Sequence, residues 1–430
     1  MRSRGNSVNR EAALITCVGL NHQTSPVEER EKLAFTPDEL PAALASLGQR
    51  LHGAVLLSTC NRTELYAAIA PDHAKSLIDL LNEAKGAHVD PAHFYVLQHR
   101  DAVAHLFRVA AGVDSMVLGE SQILGQVRDA MSAATEAGAL NGVLSRVFHS
   151  AITAGKRART ETNIGGHAVS VGSAAVALAR KSLGNLVGKT VLVISAGSIG
   201  KLAAKALARE AGSRVLVANR TLARAEDLAT QVGPNAEATD FGHLQEAIAA
   251  SDIVISGTSA EGFIIGPQHV RPIMALRDGR SLLFIDIAVP RDVDPAVSAI
   301  PGVHVCDIDD IEAVTEQGWS GRQGEVERVE TVIGEEVESF LGWWSSLDVV
   351  PVIAALRERA EDIRRRELER TLGRMPELDE EARRSIEAMT QAIVKKMLDR
   401  PIARLKDGAD KGLYMEALQD LFDVPPHGRV

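Results

Sequence analysis

Paired cysteines are what this 430-residue chain most plainly lacks. Its three thiols, Cys17, Cys60 and Cys306, lie far apart and none belongs to a C-x-x-C pair. That excludes a disulfide framework and argues against a structural zinc site. Scattered thiols fit a reducing cytoplasm. Aromatic residues are only 3 % of the chain, so its cores must be aliphatic. No apolar run reaches the ~18 residues of a membrane span. The basic start MRSRGNSVNR is followed by Glu11 and only a short apolar run, unlike a secretory signal, and these ten residues are expected to form a disordered lead-in. Excess basic charge is wanting too. Lys and Arg number 47 against 57 Asp and Glu, for a net charge of −10, which disfavours a general nucleic-acid or membrane-surface binder, DNA included.

What is present is enough chain for two to three domains at roughly 150 residues each. The first stretch alternates: 14–20, 54–58 and 65–69 read as strands, 37–51 and 75–85 as helices. From Asp101 to about Lys181 the periodicity is helical. Apolar strands then recur at 190–194, 214–218, 252–256, 282–287 and 303–306, separated by helical or loop segments. Near-continuous apolar strands of this kind imply a parallel sheet covered on both faces. Residues 308–372 read as almost uninterrupted helix with a kink or joint at Pro351, followed by helices over 380–398 and 411–421. A helix of that length cannot bury itself in one small domain, so it must run along several domains or against a partner chain.

Four features carry chemistry. Ser195-Ala196-Gly197-Ser198-Ile199-Gly200 follows a strand and opens a helix, which is the setting of a dinucleotide fingerprint G-x-G-x-x-G. Ser195 replaces the first glycine, and a structural turn is the competing reading. After the next strand, Asn219-Arg220-Thr221 offers no carboxylate for a ribose 2′-hydroxyl. Arg220 there suits a 2′-phosphate, unless it is a solvated surface residue. Ser58-Thr59-Cys60-Asn61-Arg62-Thr63-Glu64 presents a thiol at a strand end. An ordinary thiol is only a few per cent thiolate at pH 7, so Cys60 is either a packing residue or a nucleophile, while Cys17 and Cys306 read as packing thiols. The run Asp114 to Gln126 sets polar side chains in an apolar helical region. Ser121 suits a helix N-cap, and Gln122 and Gln126 share a face, as solvated glutamines or as a pocket wall. His105, on an otherwise apolar helical face, reads by default as a buried, hydrogen-bonded structural histidine.

Together the stretches GLNHQTSPVEEREKLAF, STCNRTELY, DSMVLGESQILGQV, RTETNIG, FIDIAVPRDVDP and VVPVIAALRERAEDIRRRELER resemble the glutamyl-tRNA reductases over essentially the whole chain. The resemblance implies an N-terminal α/β catalytic domain over 1–167 and a Rossmann-type NADPH-binding domain over 168–307. It implies a long spinal helix with an all-α dimerisation domain over 308–430, closing a homodimer through 373–430. The implied activity is reduction of glutamyl-tRNA(Glu) to glutamate-1-semialdehyde, the first step of 5-aminolevulinate and porphyrin formation, by way of a thioester on Cys60. Thr59, Asn61, Arg62, Ser115, Glu120, Ser121, Gln122 and Gln126 would then hold the glutamyl group, with Arg62 facing its carboxylate. His105 would be a histidine important for activity. Ser195, Ala196, Gly197, Ser198, Ile199 and Gly200, with Asn219, Arg220 and Thr221, would hold NADPH, and no metal is implied. A glutamate-1-semialdehyde aminotransferase is the implied onward partner.

Two other readings stand beside this one: an NADP-dependent dehydrogenase of a small metabolite, and a non-catalytic tRNA-binding paralogue. If RNA is bound by a chain of net charge −10, the contact must come from restricted basic surface. Between Arg146 and Lys181 there are six Lys and Arg against one Glu, with Lys156, Arg157 and Arg159 in one helical turn, so that stretch is the expected contact.

Overall fold

The computed structural model describes residues 13–115, 118–119, 122–165, 171–195, 198–211, 214–258, 260, 262–316, 323–347, 349–407 and 411–422. The expected disordered lead-in lies outside them. The described chain divides into two compact units, Leu14–Val337 and the residues from Glu338 onward.

The first unit opens with an antiparallel sheet of β1 (Leu14–Asn21), β2 (Val55–Ser58), β3 (Arg62–Ile69) and β4 (Tyr95–Gln98), in the order β2-β3-β1-β4. A short helix α1 (Val27–Arg30) follows β1, and α2 (Leu40–Leu51) leads into β2. Helix α3 (Ser76–Lys85) precedes β4. Helices α4 (Arg100–Ala111), α5 (Gln122–Glu136) and α6 (Gly142–Glu161) complete the domain. β1 and β3 are buried on both faces. Their register sets Cys17 opposite Tyr66, Gly19 opposite Glu64 and Asn21 opposite Arg62. On its other side Gly19 faces Tyr95 of β4. A Cβ at Gly19 would stand 2.7 Å from Glu64 Cγ and 2.8 Å from the Thr63 carbonyl oxygen. Glycine therefore opens the row that joins Glu64 to Tyr95 across β1.

Helix α7 (Val171–Leu183) leads into a parallel sheet of β5 (Val191–Ile194), β6 (Val215–Asn219), β7 (Ala236–Asp240), β8 (Ile253–Ser256), β9 (Leu282–Asp286) and β10 (Val303–Cys306). The order is β10-β9-β8-β5-β6-β7. Taken from its β7 edge, the order runs third, second and first strand of this sheet, then fourth, fifth and sixth, the doubly wound order that binds dinucleotides where the strand order reverses. Helices α8 (Ser198–Ala211), α9 (Leu222–Val232), α10 (Leu244–Ala250) and α11 (Pro267–Ala275) connect the strands, and α12 (Ile308–Glu316) follows β10. One aliphatic cluster on this sheet takes in Ala175, Val193, Val217 and Ile285, together with Ile308 and Ile311 of α12 and Val27 of α1. Cys306, at the end of β10, is half-buried, and its thiol is pushed up to about 11 by burial and by Asp310 and Asp307. Its surroundings agree with a packing role.

The run from 308 to 372 is not one helix. Among the described residues it comprises α12, α13 (Gln323–Ser346) and α14 (Val349–Gly373), with Leu347 outside both of the last two. Pro351 lies in the first turn of α14, where its missing N–H has no partner to lose, so the proline marks a helix start and not a kink. In the second unit Val352, Ile353 and Leu356 of α14 pack on Leu398, Ile402 and Leu405 of α15 (Glu380–Asp407), and α16 (Lys411–Phe422) adds Leu418. On α15, Met389, Ile393 and Met397 stand 55 %, 49 % and 71 % exposed at four-residue spacing, an apolar stripe left uncovered by this chain's described residues.

Candidate active site

β2 and β3 form a hairpin whose tip is Thr59-Cys60-Asn61. Ser58 pairs with Thr63, and the Thr59 amide donates to the Arg62 carbonyl at 2.8 Å. Thr59 Oγ1 accepts from the Asn61 and Arg62 amides, each at 3.2 Å. The threonine thus satisfies the backbone of the turn and fixes the thiol's position. Cys60 is half-buried and packs against the aliphatic cluster of the parallel sheet.

A narrow cleft opens at this tip, lined by Thr59, Cys60, Asn61, Arg62, Ser115, and Ile123 and Gln126 of α5. Six of the residues named for the site from sequence therefore meet here. Gln122 starts α5 without lining the cleft. Glu120 and Ser121, and with Ser121 the expected N-cap, lie outside the described residues. Asn61 Oδ1 and Ser115 Oγ are buried with no hydrogen-bond partner among the described residues. Native proteins seldom leave such atoms unpaired, because an unmade buried hydrogen bond costs about 1–3 kcal/mol. Two orphaned polar atoms in a cleft beside a cysteine mark a place for a polar ligand. Asn61 Oδ1 can accept a hydrogen bond, and Ser115 Oγ can either donate or accept one.

Arg62 forms the cleft's inner wall and is fully buried. Its Nη1 donates to Glu64 Oε1 at 2.8 Å and lies 3.5 Å from Asp114 Oδ2, and its Nη2 donates to the Asp114 carbonyl. Behind it, Glu64 also accepts from Tyr66 at 2.5 Å, Tyr95 at 2.5 Å and His105 Nε2 at 2.8 Å. The other ring nitrogen of His105 lies 3.1 Å from Asp114 Oδ2. Burial pushes the Glu64 carboxyl up, but His105 and Arg62 outweigh it and hold the group well below its usual range. Burial opposes the charge on His105, yet Glu64 and Asp114 raise the imidazolium to about 9. Burial likewise acts against Asp114, which His105 and Arg62 hold at about 2. Two cations and two carboxylates thus balance in the core.

His105 faces carboxylates on both sides and does not line the cleft. Its place is behind Arg62, in contact with Glu64 and Asp114. Glu64, Tyr66, Tyr95 and Asp114 received no role from the sequence, and charged residues inside a buried strand give no pattern that would have announced one. Cys17 is buried beside this cluster, and burial followed by the Glu64 charge pushes its thiol up, as suits a packing residue. Donor atoms of Cys17, Glu64 and His105 lie within 4.8 Å of one another, but Arg62 and the two tyrosines already occupy the Glu64 oxygens.

The second predicted site lies at the C-terminal end of β5. Ser195 has φ +44°, the left-handed conformation that the fingerprint's first glycine supplies. Serine takes it here with Asn219 Nδ2 donating to its Oγ at 3.3 Å. Gly200 is buried within α8, which begins at Ser198, while Ala196 and Gly197 lie outside the described residues. Asn219 Oδ1 accepts from the Thr221 amide at 3.1 Å. Arg220 is exposed and makes no ion pair among the described residues. A left-handed turn between the central strand and a helix N-terminus, at the reversal point of a parallel sheet, fits a dinucleotide pyrophosphate.

The expected basic surface on α6 is largely committed elsewhere. Arg157 donates to Glu161, Glu335 and Glu336 at 2.7 to 3.0 Å. Arg159 donates to the Ala110 and Gly155 carbonyls. Of the three clustered basic residues only Lys156 is exposed. Charge counting along a helix could not foresee the glutamates of α13 that pair with it.

Comparison with known proteins accords with this architecture. Residues 18–162 match the family model for glutamyl-tRNAGlu reductase, N-terminal domain. Residues 177–314 match that for shikimate / quinate 5-dehydrogenase, and 328–424 that for glutamyl-tRNAGlu reductase, dimerisation domain. A glutamyl-tRNA reductase of Pelotomaculum thermopropionicum is 43 % identical over 96 % of this chain and 95 % of its own. That of a Roseiflexus species is 44 % identical over 95 % and 97 %. The solved glutamyl-tRNA reductase of Methanopyrus kandleri is 38 % identical, covering 95 % of this chain and 98 % of its own, with a TM-score of 0.49. No helix of the described residues is long and apolar enough to cross a membrane. The chain carries a nicotinamide-cofactor type of domain between the family's N-terminal and dimerisation domains, and it belongs to the glutamyl-tRNA reductase family.

Proposed function

We propose that this chain reduces glutamyl-tRNA(Glu) to glutamate-1-semialdehyde with NADPH, releasing the tRNA, as the first step of porphyrin formation. The reading rests on the hairpin-tip cleft, where Cys60 stands beside Arg62 and beside Asn61 Oδ1 and Ser115 Oγ, which have no partner among the described residues. Cys60 Sγ attacks the ester carbonyl carbon. The bond to the tRNA 3′-oxygen breaks, that oxygen takes a proton, and a glutamyl thioester remains on Cys60. Arg62 and Ser115 offer donors to the side-chain carboxylate. Asn61 Oδ1 offers an acceptor to the ammonium, and Thr59 and Gln126 complete the wall. Glu120, Ser121 and Gln122 belong to the same proposed binding set. His105 holds Arg62 in place through Glu64 and Asp114.

Ser195 to Gly200, with Asn219, Arg220 and Thr221, would hold the nicotinamide nucleotide, which supplies hydride when bound. The preference for NADPH rests on the exposed Arg220, which has no ion pair among the described residues, and on the lack of a carboxylate at the end of β6. Arg220→Ala is expected to raise the KM for NADPH about 10- to 100-fold, the value of one charge-assisted contact, and to leave the KM for NADH unchanged. Equal effects on both nucleotides would remove Arg220 from the phosphate site.

We assign 1–167 to the catalytic domain, 168–307 to the nucleotide domain and 308–430 to the spine and dimerisation domain. The exposed stripe Met389, Ile393 and Met397 supports a homodimer through the last of these. Three cysteines with no disulfide among them support a cytoplasmic setting, and the reactive aldehyde product suits direct transfer to a glutamate-1-semialdehyde aminotransferase. The deciding experiment follows nicotinamide oxidation with charged and uncharged tRNA. Oxidation only with charged tRNA is expected. Oxidation of a free metabolite without tRNA would favour the small-molecule dehydrogenase instead.

A further inference from the structure

The segment after β1 touches both halves of the proposed chemistry. Arg30, the last residue of α1, is 2 % exposed. Its guanidinium reaches three places at once: Nε donates to the Ser25 carbonyl at 3.2 Å, Nη1 to the Cys60 carbonyl at 2.9 Å, and Nη2 to the Asp309 carboxylate. Asp309 stands on α12, between Ile308 and Ile311, and both isoleucines are buried in the core of the nucleotide domain. One buried cation therefore ties the backbone of the hairpin cysteine to the domain built on the parallel sheet. A second tie runs in parallel. Arg291, in the loop after β9, donates to Glu31 at 3.0 and 3.1 Å and to Glu28 at 2.8 Å. Asp286 anchors that loop by accepting from the Ala288, Asp292 and Val293 amides at 2.8 to 3.0 Å.

Nothing in thioester formation needs these ties, because every described residue that lines the cleft belongs to the N-terminal domain. Reduction of the thioester does need them. An acyl group on Cys60 has two fates. Hydride from the nicotinamide at the carbonyl carbon, with cleavage of the C–S bond, gives aldehyde and thiolate. Water at the same carbon, with the same bond cleaved and no redox change, gives free glutamate, thiolate and two protons. The first fate requires the nucleotide domain to be held against the hairpin, and an ångström of misplacement can cost about 100-fold.

We infer that Arg30 and Asp309, assisted by Arg291, are positioning residues that hold Cys60 against the nicotinamide domain, so that the acyl-enzyme is reduced and not hydrolysed. The inference deepens the thioester reading and rests on it. Its test measures both products, aldehyde and free glutamate, in a single turnover of full-length enzyme with glutamyl-tRNA and saturating NADPH. Asp309→Asn removes the charge that Arg30 meets on α12. Arg291→Gln, which leaves the Arg30 to Asp309 contact in place and breaks the second tie alone, guards against a failure of the first variant to fold. For each variant the release of tRNA is expected to stay within about twofold of the parent, and the ratio of aldehyde to glutamate to fall about tenfold or more. An unchanged ratio in both variants would overturn the inference. So would a loss of tRNA release in step with aldehyde, since the ties would then merely hold the hairpin. Should the unsubstituted enzyme itself release no tRNA, the thioester reading would fall first.

Discussion

Cys60→Ser is expected to lower reductase turnover by on the order of 10⁴-fold or more, the range seen when a covalent nucleophile is removed. Sulfur and oxygen differ little in size, and Cys60 is only half-buried, so folding should be preserved. The loss is chemical on two counts. A serine hydroxyl, with no histidine among the described residues that line the cleft to take its proton, is a poor nucleophile toward the aminoacyl ester. Any ester it did form would be an oxygen ester, less open to hydride than a thioester. Two measurements check this: nicotinamide oxidation with charged tRNA, and retention of labelled glutamate on the denatured enzyme. Both should vanish together. A variant keeping a tenth of parental turnover would mean that hydride reaches the tRNA ester directly and that Cys60 is a packing residue.

The parallel sheet was legible because β5, β6, β8 and β9 are buried on both faces and their sequences are nearly unbroken runs of Val, Ile, Leu and Phe. β7 is an edge strand with partly exposed side chains, and AEATD shows neither run nor alternation. β4, also an edge, is short and half-covered. β3 fails for a different reason. Its strand begins at Arg62 and not near Leu65, and the residues that hid its first half are charges placed where the period predicts apolar side chains. Strand patterns read burial from hydrophobicity, so a buried ion cluster looks like a surface. The cleft residues were reached through resemblance, because spacing alone left Cys60 between nucleophile and packing thiol. The Arg30 to Asp309 contact joins residues 279 apart in sequence, and no local pattern encodes it. Of the glutamates that pair with Arg157, Glu335 and Glu336 are likewise remote, at 178 and 179 residues.

Glu64→Gln is expected to destabilise the N-terminal half by about 3–5 kcal/mol, the cost of breaking a buried ion network from one side. The side chain keeps its shape, so the effect isolates charge. Arg62 cannot shed its proton and would face Asp114 alone. His105 can, and without its largest favourable partner it should fall back from about 9 toward its ordinary 6.5. The pH dependence carries the signature. In the parent, His105 is raised on folding, so its contribution is complete below about 6.5 and is lost as pH climbs through 9. Glu64 and Asp114 are lowered, so theirs is complete above about 4.5 and is lost as pH falls. Denaturation midpoints of the parent should therefore be highest between about 4.5 and 6.5 and decline toward 9. In Glu64→Gln the alkaline decline should flatten, because His105 no longer gives up a favourable charge on that limb, and the imidazole titration followed by NMR should move to lower pH. A parallel downward shift of the whole curve, with the alkaline slope intact, would mean that Glu64 is held mainly by its tyrosines and that His105 owes its proton to Asp114.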